Sequence, residues 1–252
     1  MPVDAASPRL SVIRSASAWW KDLAHRQGAF QATRQLVAMI WEFLRDSTPE
    51  RRRMAFGDAE YDWQHRVNTT SGAVGWRDRL LGVFHSAYQP TDEALFHEMM
   101  RALLAHAGSF AGFVFIDIGS GKGRTLLMAA DYPFRRIVGV ELLPDLHGIA
   151  RENIAAYHGE RQKCAAIESL CADAADFFFP EEPLVIYLFN PLPEAGLKRL
   201  LANLQRSLKE HPRGAYVLYH NPLLEHVVRE AGTFQKVGGT EQYAIYGTLA
   251  HA

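Results

Sequence analysis

Cysteine is scarce in this chain, with Cys164 and Cys171 the only two among 252 residues. Their spacing fits neither a zinc site nor a redox pair, and so low a count is compatible with a reducing compartment. Eleven histidines are present, but none stands in an H-E-x-x-H or similar ligand pattern, so no metal site is expected. A charge excess is lacking too: Lys and Arg total 27, Asp and Glu 28, for a formal net charge of -1. That balance exerts no general pull on nucleic acid or an anionic membrane, and neither is an expected partner. Charged residues interrupt every apolar run before it reaches membrane-spanning length. The first residues show no signal-peptide core, so the expected location is cytoplasmic.

What is present is an ordinary globular composition, 48% hydrophobic and 22% charged, sufficient for one large core with an appended segment. Residues 9 to 46 favour helix, since Val12, Trp19, Leu23, Leu36, Ile40 and Leu44 recur at helical spacing. Gly28 is placed to divide that stretch, and Thr48-Pro49 to stop it. Residues 57 to 78 read as irregular, and their mixture of Tyr61, Trp63, His65, Arg66 and Asn68 marks a candidate lid or substrate segment. Residues 1–87 are therefore expected to be a helical extension. Two readings of it stay open, part of an acceptor pocket or a homo-oligomer interface.

Residues 88–252 alternate strand and helix. Thr91 is placed to cap a helix that carries Asp92 and Glu93 in its first turn and Leu95, Phe96, Met99, Met100 and Leu103 along one face. Strands are predicted near 113–117, 137–141, 166–170, 184–189 and 215–219, with helices between them and a closing strand pair near 234–237 and 243–249. Such alternation predicts an α/β, doubly wound sheet.

The sharpest local signal is Phe113-Val114-Phe115-Ile116-Asp117-Ile118-Gly119-Ser120-Gly121-Lys122-Gly123-Arg124. It reads as a buried strand followed by a glycine turn that opens a helix. The turn satisfies neither common nucleotide pattern. G-x-G-x-x-G would need glycine where Arg124 stands, and a P-loop would need G-x-x-x-x-G-K-[ST]. Ligands in open α/β sheets gather beyond the carboxyl ends of the strands. Asp117, Glu141, Asp173 and Asn190 all fall where such ends are predicted, and a carboxylate at Glu141 suits a pair of ribose hydroxyls.

With those residues in view, the chain resembles the class I S-adenosylmethionine-dependent methyltransferases over roughly residues 88 to 249. The resemblance rests on the glycine turn with its strand, on Val138-Gly139-Val140-Glu141, on Asp173-Ala174 and on Phe189-Asn190-Pro191. It implies S-adenosyl-L-methionine as cofactor and a Rossmann-like seven-stranded sheet of order 3-2-1-4-5-7-6. It also implies that Asp117, Gly119, Ser120 and Gly121 meet the amino acid part of the cofactor, Glu141 its ribose, and Asp173 with Ala174 its adenine. More narrowly, the turn is similar to that of a bacterial group of uncharacterised methyltransferases and of lysine methyltransferases of the histone H3 lysine 79 type. In that comparison Tyr88 and Thr91 match the segment that closes over the cofactor.

Asn190-Pro191-Leu192-Pro193 resembles part of the Asn/Asp-Pro-Pro-aromatic pattern of amino-group methyltransferases, but Leu192 and Pro193 depart from it. The Asn190 carbonyl oxygen is suited to orienting an amine and to stabilising the charge that grows on it. A hydroxyl acceptor would instead recruit a base, with His220, Tyr88 and His65 as candidates. The expected activity is methyl transfer to nitrogen or oxygen of a peptide, protein or small molecule, with Asn190, His220 and Tyr88 as catalytic candidates and Asn190 also beside the cofactor. An NAD-dependent oxidoreductase and a non-catalytic cofactor-binding subunit remain as alternatives.

Overall fold

A computed structural model describes residues 12–46, 59–69 and 90–248 of the chain. They divide into two units, Met1–Ala59 with Thr70–Tyr88, and Glu60–Thr69 with Gln89–Ala252.

The first unit contains α1 (Val12–Gln27) and α2 (Ala29–Asp46), separated at Gly28 as the sequence predicts. Gly28 takes φ +88°, a conformation open to glycine and costly for most other residues. The two helices meet through few polar ties: the Trp20 indole N–H donates to the Thr33 hydroxyl at 3.2 Å, and the Gln35 amide donates to Gln27 at 3.1 Å. Ala32 is buried between them, whereas Phe30 and Val37 stay exposed.

The second unit is built on seven strands: β1 (Val114–Ile118), β2 (Arg136–Glu141), β3 (Ile167–Cys171), β4 (Leu184–Leu188), β5 (Ala215–His220), β6 (Phe234–Gly239) and β7 (Tyr243–Thr248). Their order is β3-β2-β1-β4-β5-β7-β6. β7 is antiparallel to both β5 and β6, and the remaining pairs are parallel. This is the order expected from the resemblance. β1 is central, pairing Asp117 with Gly139 on one side and with Tyr187 on the other.

Among the described residues six helices accompany the sheet: α3 (Ala59–His65), α4 (Glu93–Ala107), α5 (Arg124–Ala129), α6 (Pro144–Ala156), α7 (Glu194–Glu210) and α8 (Glu225–Glu230). α3 corrects the reading of residues 57 to 78 as irregular, because about two turns of helix lie there. Residues 70 to 78 fall outside the described set. A second correction concerns the start of α4. The cap is Asp92, whose carboxylate accepts from the Leu95 N–H at 2.8 Å, and the Thr91 hydroxyl points elsewhere.

Strand alternation loads both faces of the sheet with apolar side chains. Ile116, Ile118, Val138, Ile186 and Val217 meet the leucines of α7 and the valines of α8. Phe115, Ile137, Val185, Tyr187 and Leu218 meet Phe96, Met99, Met100 and Leu103 of α4 with Leu126 and Leu127 of α5. Asp117 shares the parity of Phe115, so it faces the α4 and α5 side, carrying a carboxylate into an otherwise apolar layer. Among the described residues, no helix is long and apolar enough to cross a membrane.

Candidate active site

β1 pairs with β2 on one side and with β4 on the other, the point in an open α/β sheet beyond whose carboxyl ends ligands collect. Gly119, Gly121 and Gly123 have φ of +75°, +54° and +82°. At Gly119 the requirement is doubled, because an added Cβ would lie 2.6 Å from the Pro191 Cβ. The turn after β1 and the Asn190-Pro191 segment after β4 are thus in van der Waals contact.

Glu141 secures the turn from β2. One of its oxygens accepts from the Gly121 N–H at 2.8 Å and the other from the Leu143 N–H at 2.8 Å. The residue is buried. Gly119 and Ser120 both donate their backbone N–H to the Val140 carbonyl. The Ser120 hydroxyl is turned against β2, where a Cβ at Gly139 would come within 2.6 Å of it, and it has no hydrogen-bond partner.

Asp117 is 2% exposed, and among the described residues its Oδ2 has no hydrogen-bond partner. Burial raises its pKa to about 7; a hydrogen bond from Thr125 opposes the rise and nearby Glu141 adds to it. A carboxylate kept in that condition calls for a cationic or strongly donating partner.

At the remaining strand ends the candidates fall into two groups. Asp173 and Ala174 follow β3, with the Asp173 carboxylate accepting from the Ala175 N–H at 2.9 Å at the start of a short 3-10 turn. Asn190 follows β4 at φ +45° and Asn221 follows β5 at φ +46°. Asn190 donates its amide to the Asn221 carbonyl at 2.7 Å and accepts from the Tyr219 hydroxyl at 2.9 Å. His220 is buried, stacks on Phe189 with ring centres 3.9 Å apart, and has its Nδ1 2.8 Å from the Tyr187 hydroxyl. Burial lowers its pKa to about 4, against an opposing effect of Asp92. Tyr187 in turn reaches the Thr91 hydroxyl at 3.0 Å. Thr91 is thereby joined to His220, while Tyr88 lies outside the described residues.

The sequence reading missed a second polar system behind the turn. Arg124, 2% exposed, donates from Nε to the Thr91 carbonyl at 2.8 Å and from Nη1 to the Thr69 hydroxyl at 3.2 Å. Its guanidinium lies over the Tyr61 ring, 4.0 Å from the centroid. Thr69 is fastened to Asp62 by both its N–H and its hydroxyl. Asn153 of α6 clasps Asn68, accepting its N–H and donating to its carbonyl, and also donates to the Lys122 carbonyl. Residues Glu60–Thr69 therefore form a strap held to the helix that follows the glycine turn, and Arg124 replaces the third glycine of the dinucleotide pattern because it anchors that strap. The His65 ring lies 4.5 Å from that of Tyr61 at a tilt of 45° and is near Tyr157. It lines a separate polar cavity of about 460 Å³ with Glu93, Asp131, His158 and Arg161, which contains none of the strand-end candidates.

One signal for Asn221 was available. Asn-Pro occurs after β4 and again after β5, as Phe189-Asn190-Pro191 and His220-Asn221-Pro222.

Residues 115–211 match a family described as a methyltransferase domain. The matched span runs from β1 to just beyond α7 and includes the glycine turn, Glu141, Asp173 and Asn190. No curated protein matches the chain. Among solved structures, a ribosomal protein L11 methylase from Lactobacillus delbrueckii subsp. bulgaricus is 14% identical, with 63% of this chain and 80% of that one covered and a TM-score of 0.45. A magnesium protoporphyrin IX methyltransferase from Synechocystis PCC 6803, solved with S-adenosylmethionine, is 13% identical over 78% and 93%, with a TM-score of 0.45. The glycopeptide N-methyltransferase MtfA, also solved with that cofactor, is 14% identical over 61% and 93%, with a TM-score of 0.46.

The residues around the turn after β1 fit a sulfonium nucleoside on two observations of their own. Among the described residues the buried Asp117 Oδ2 lacks a partner, and the turn at Gly119 packs so closely on Pro191 that only glycine fits there.

Proposed function

We propose that this methyltransferase uses S-adenosylmethionine to methylate a nitrogen or oxygen of a peptide, protein or small molecule in the crevice between the β1 and β4 loops. The observation that carries the reading is the unpartnered, buried Asp117 oxygen beside a glycine turn that tolerates no side chain. The cofactor supplies an electrophilic methyl group on a positively charged sulfur. Asp117 is the partner for its cationic amino group, with Gly119, Ser120 and Gly121 around the same end. Glu141, buried at the end of β2, is the carboxylate for the ribose hydroxyls, and Asp173 with Ala174 borders the adenine. Thr91 and Tyr88 belong to the segment that closes the site.

On the acceptor side, Asn190 and His220 stand at adjacent strand ends. The Asn190 oxygen keeps one lone pair beyond the Tyr219 hydrogen bond, enough to orient an amine. Orientation supplies much of the rate advantage in such a transfer. The likeness of the turn to that of lysine methyltransferases of the histone H3 lysine 79 type favours an amine among the acceptors. The enzyme acts in the cytoplasm, and α1 with α2 provides a surface for self-association.

A thermal-shift titration tests the donor. S-adenosylmethionine and S-adenosylhomocysteine are expected to raise the melting temperature, and NAD to leave it unchanged. No response to either sulfur nucleoside would overturn the assignment. Transfer of labelled methyl to peptides containing lysine, compared with hydroxyl-bearing metabolites, then separates nitrogen from oxygen.

A further inference from the structure

His220 has been considered as a base for a hydroxyl acceptor. A count of hydrogens around it leads elsewhere. Thr91, Tyr187 and His220 form a buried row, with Thr91 Oγ1 3.0 Å from the Tyr187 hydroxyl and that hydroxyl 2.8 Å from His220 Nδ1. All three residues are buried. Heavy-atom positions allow two arrangements of protons along this row.

In the first, Thr91 donates to Tyr187 and Tyr187 donates to Nδ1, which leaves the imidazole proton on Nε2. In the second, Nδ1–H donates to Tyr187 and Tyr187 donates to Thr91. The second arrangement strands the Thr91 hydroxyl proton, since that hydroxyl has no other partner among the described residues. A buried hydroxyl left in that state is disfavoured. The first arrangement uses every proton of the row, and it ends on Nε2–H, which has no partner among the described residues.

We infer that the neutral His220 presents Nε2–H, as a hydrogen-bond donor and not as a base, to an oxygen-bearing group of the ligand in the crevice, and that Tyr187 is the positioning residue that fixes this tautomer. The inference rests on the methyltransferase reading for its ligand, though not for the tautomer itself. Its chemistry selects a methyl acceptor with a carbonyl or carboxylate oxygen beside the atom that is methylated. Arg124 anchors the far end of the row by holding the Thr91 backbone carbonyl, and Phe189 fixes the plane of the imidazole by stacking. The lowered pKa of His220 agrees with a ring that remains neutral at physiological pH.

Nitrogen NMR of histidine-labelled protein at neutral pH tests this without any acceptor, with His220→Gln used to assign the signals. The expected wild-type spectrum shows pyridine-type Nδ1 and pyrrole-type Nε2 for His220. Thr91→Val should keep that pattern, because Tyr187 still has its own proton to donate. Tyr187→Phe should lose it, giving exchange between tautomers. A pyrrole-type Nδ1 in the wild-type protein, or a doubly protonated ring at neutral pH, would overturn the inference even if Tyr187→Phe failed to fold. Titration with S-adenosylhomocysteine in the same sample reports the donor reading separately. A response to it alongside the wrong tautomer would reject the role of His220 and leave the methyltransferase assignment standing.

Discussion

The turn after β1 and the turns after β4 and β5 solve one geometric problem in two ways. All three carry residues with positive φ at the carboxyl edge of the sheet. After β1 these are glycines, at +75°, +54° and +82°; after β4 and β5 they are Asn190 and Asn221, at +45° and +46°. Glycine adopts such angles freely and brings bare backbone to a ligand. Asparagine is strained there, by about 1–3 kcal/mol at each site, yet it retains a functional side chain. Backbone access thus belongs to one wall of the crevice and side-chain chemistry to the other, which matches a donor on the first and an acceptor on the second.

The hardest way to break this division is Gly119→Ala. Its Cβ would meet Pro191 at 2.6 Å in a left-handed conformation, so a loss of about 3 kcal/mol or more in stability is expected, with loss of S-adenosylhomocysteine binding. Chemical denaturation and calorimetry measure the two effects. Retention of wild-type affinity would show that the turn does not face the cofactor.

Glu141→Ala comes next. The substitution removes the acceptor for two buried N–H groups as well as the proposed ribose partner, so stability should fall by about 2–4 kcal/mol along with affinity. Glu141→Gln keeps one oxygen and should fall between the two. An unchanged melting temperature in the alanine variant would mean the turn is held by its glycines alone.

Asp117 offers a sharper test through pH. Its pKa of about 7 in the folded chain lies above its ordinary 3.8, so the folded state holds the proton more tightly than the unfolded one. The stability this contributes is complete below the ordinary pKa, declines as pH rises towards 7 and is gone above it. A cationic ligand group favours the ionised form. Cofactor affinity should therefore climb up to about tenfold per pH unit below the folded pKa and level off above it. Asp117→Asn should flatten both dependences. A pH-independent affinity in the wild type would move the amino group away from Asp117.

The mildest change is expected for Asn190→Gly. Relief of the strained φ offsets loss of the bonds to Tyr219 and the Asn221 carbonyl, so stability should change by less than about 1 kcal/mol. Turnover of any identified acceptor should nevertheless drop while cofactor affinity holds. Reduced affinity with unchanged turnover would assign Asn190 to the donor wall.

Much of this architecture was legible in the residues. Burial on both faces made β1, β2 and β4 conspicuous as apolar runs, and Gly28 divided the N-terminal helices as its position suggested. The strand-end acids could be found because a carboxylate closing an apolar strand is rare without cause. What escaped notice depends on partners distant in sequence. Nothing in residues 59–69 announces that Thr69 meets Arg124, or that Asn68 meets Asn153 in α6. Arg124 could be recognised only as a missing glycine. The role of Thr91 was likewise misread, since a hydroxyl before a helix suggests a cap until Asp92 takes that position and frees it for Tyr187.

The strap has a consequence for where this catalytic unit can be cut. A chain begun at residue 88, where the alternating pattern starts, would lack Thr69 and Tyr61 and leave a guanidinium in the interior with half its companions missing. Such a fragment should be insoluble, or should melt at a lower temperature than one begun before residue 59. In evolutionary terms, Arg124 makes ten residues of apparent appendage inseparable from the enzyme, so the extension cannot be lost or exchanged as a module without first restoring a small residue at that position.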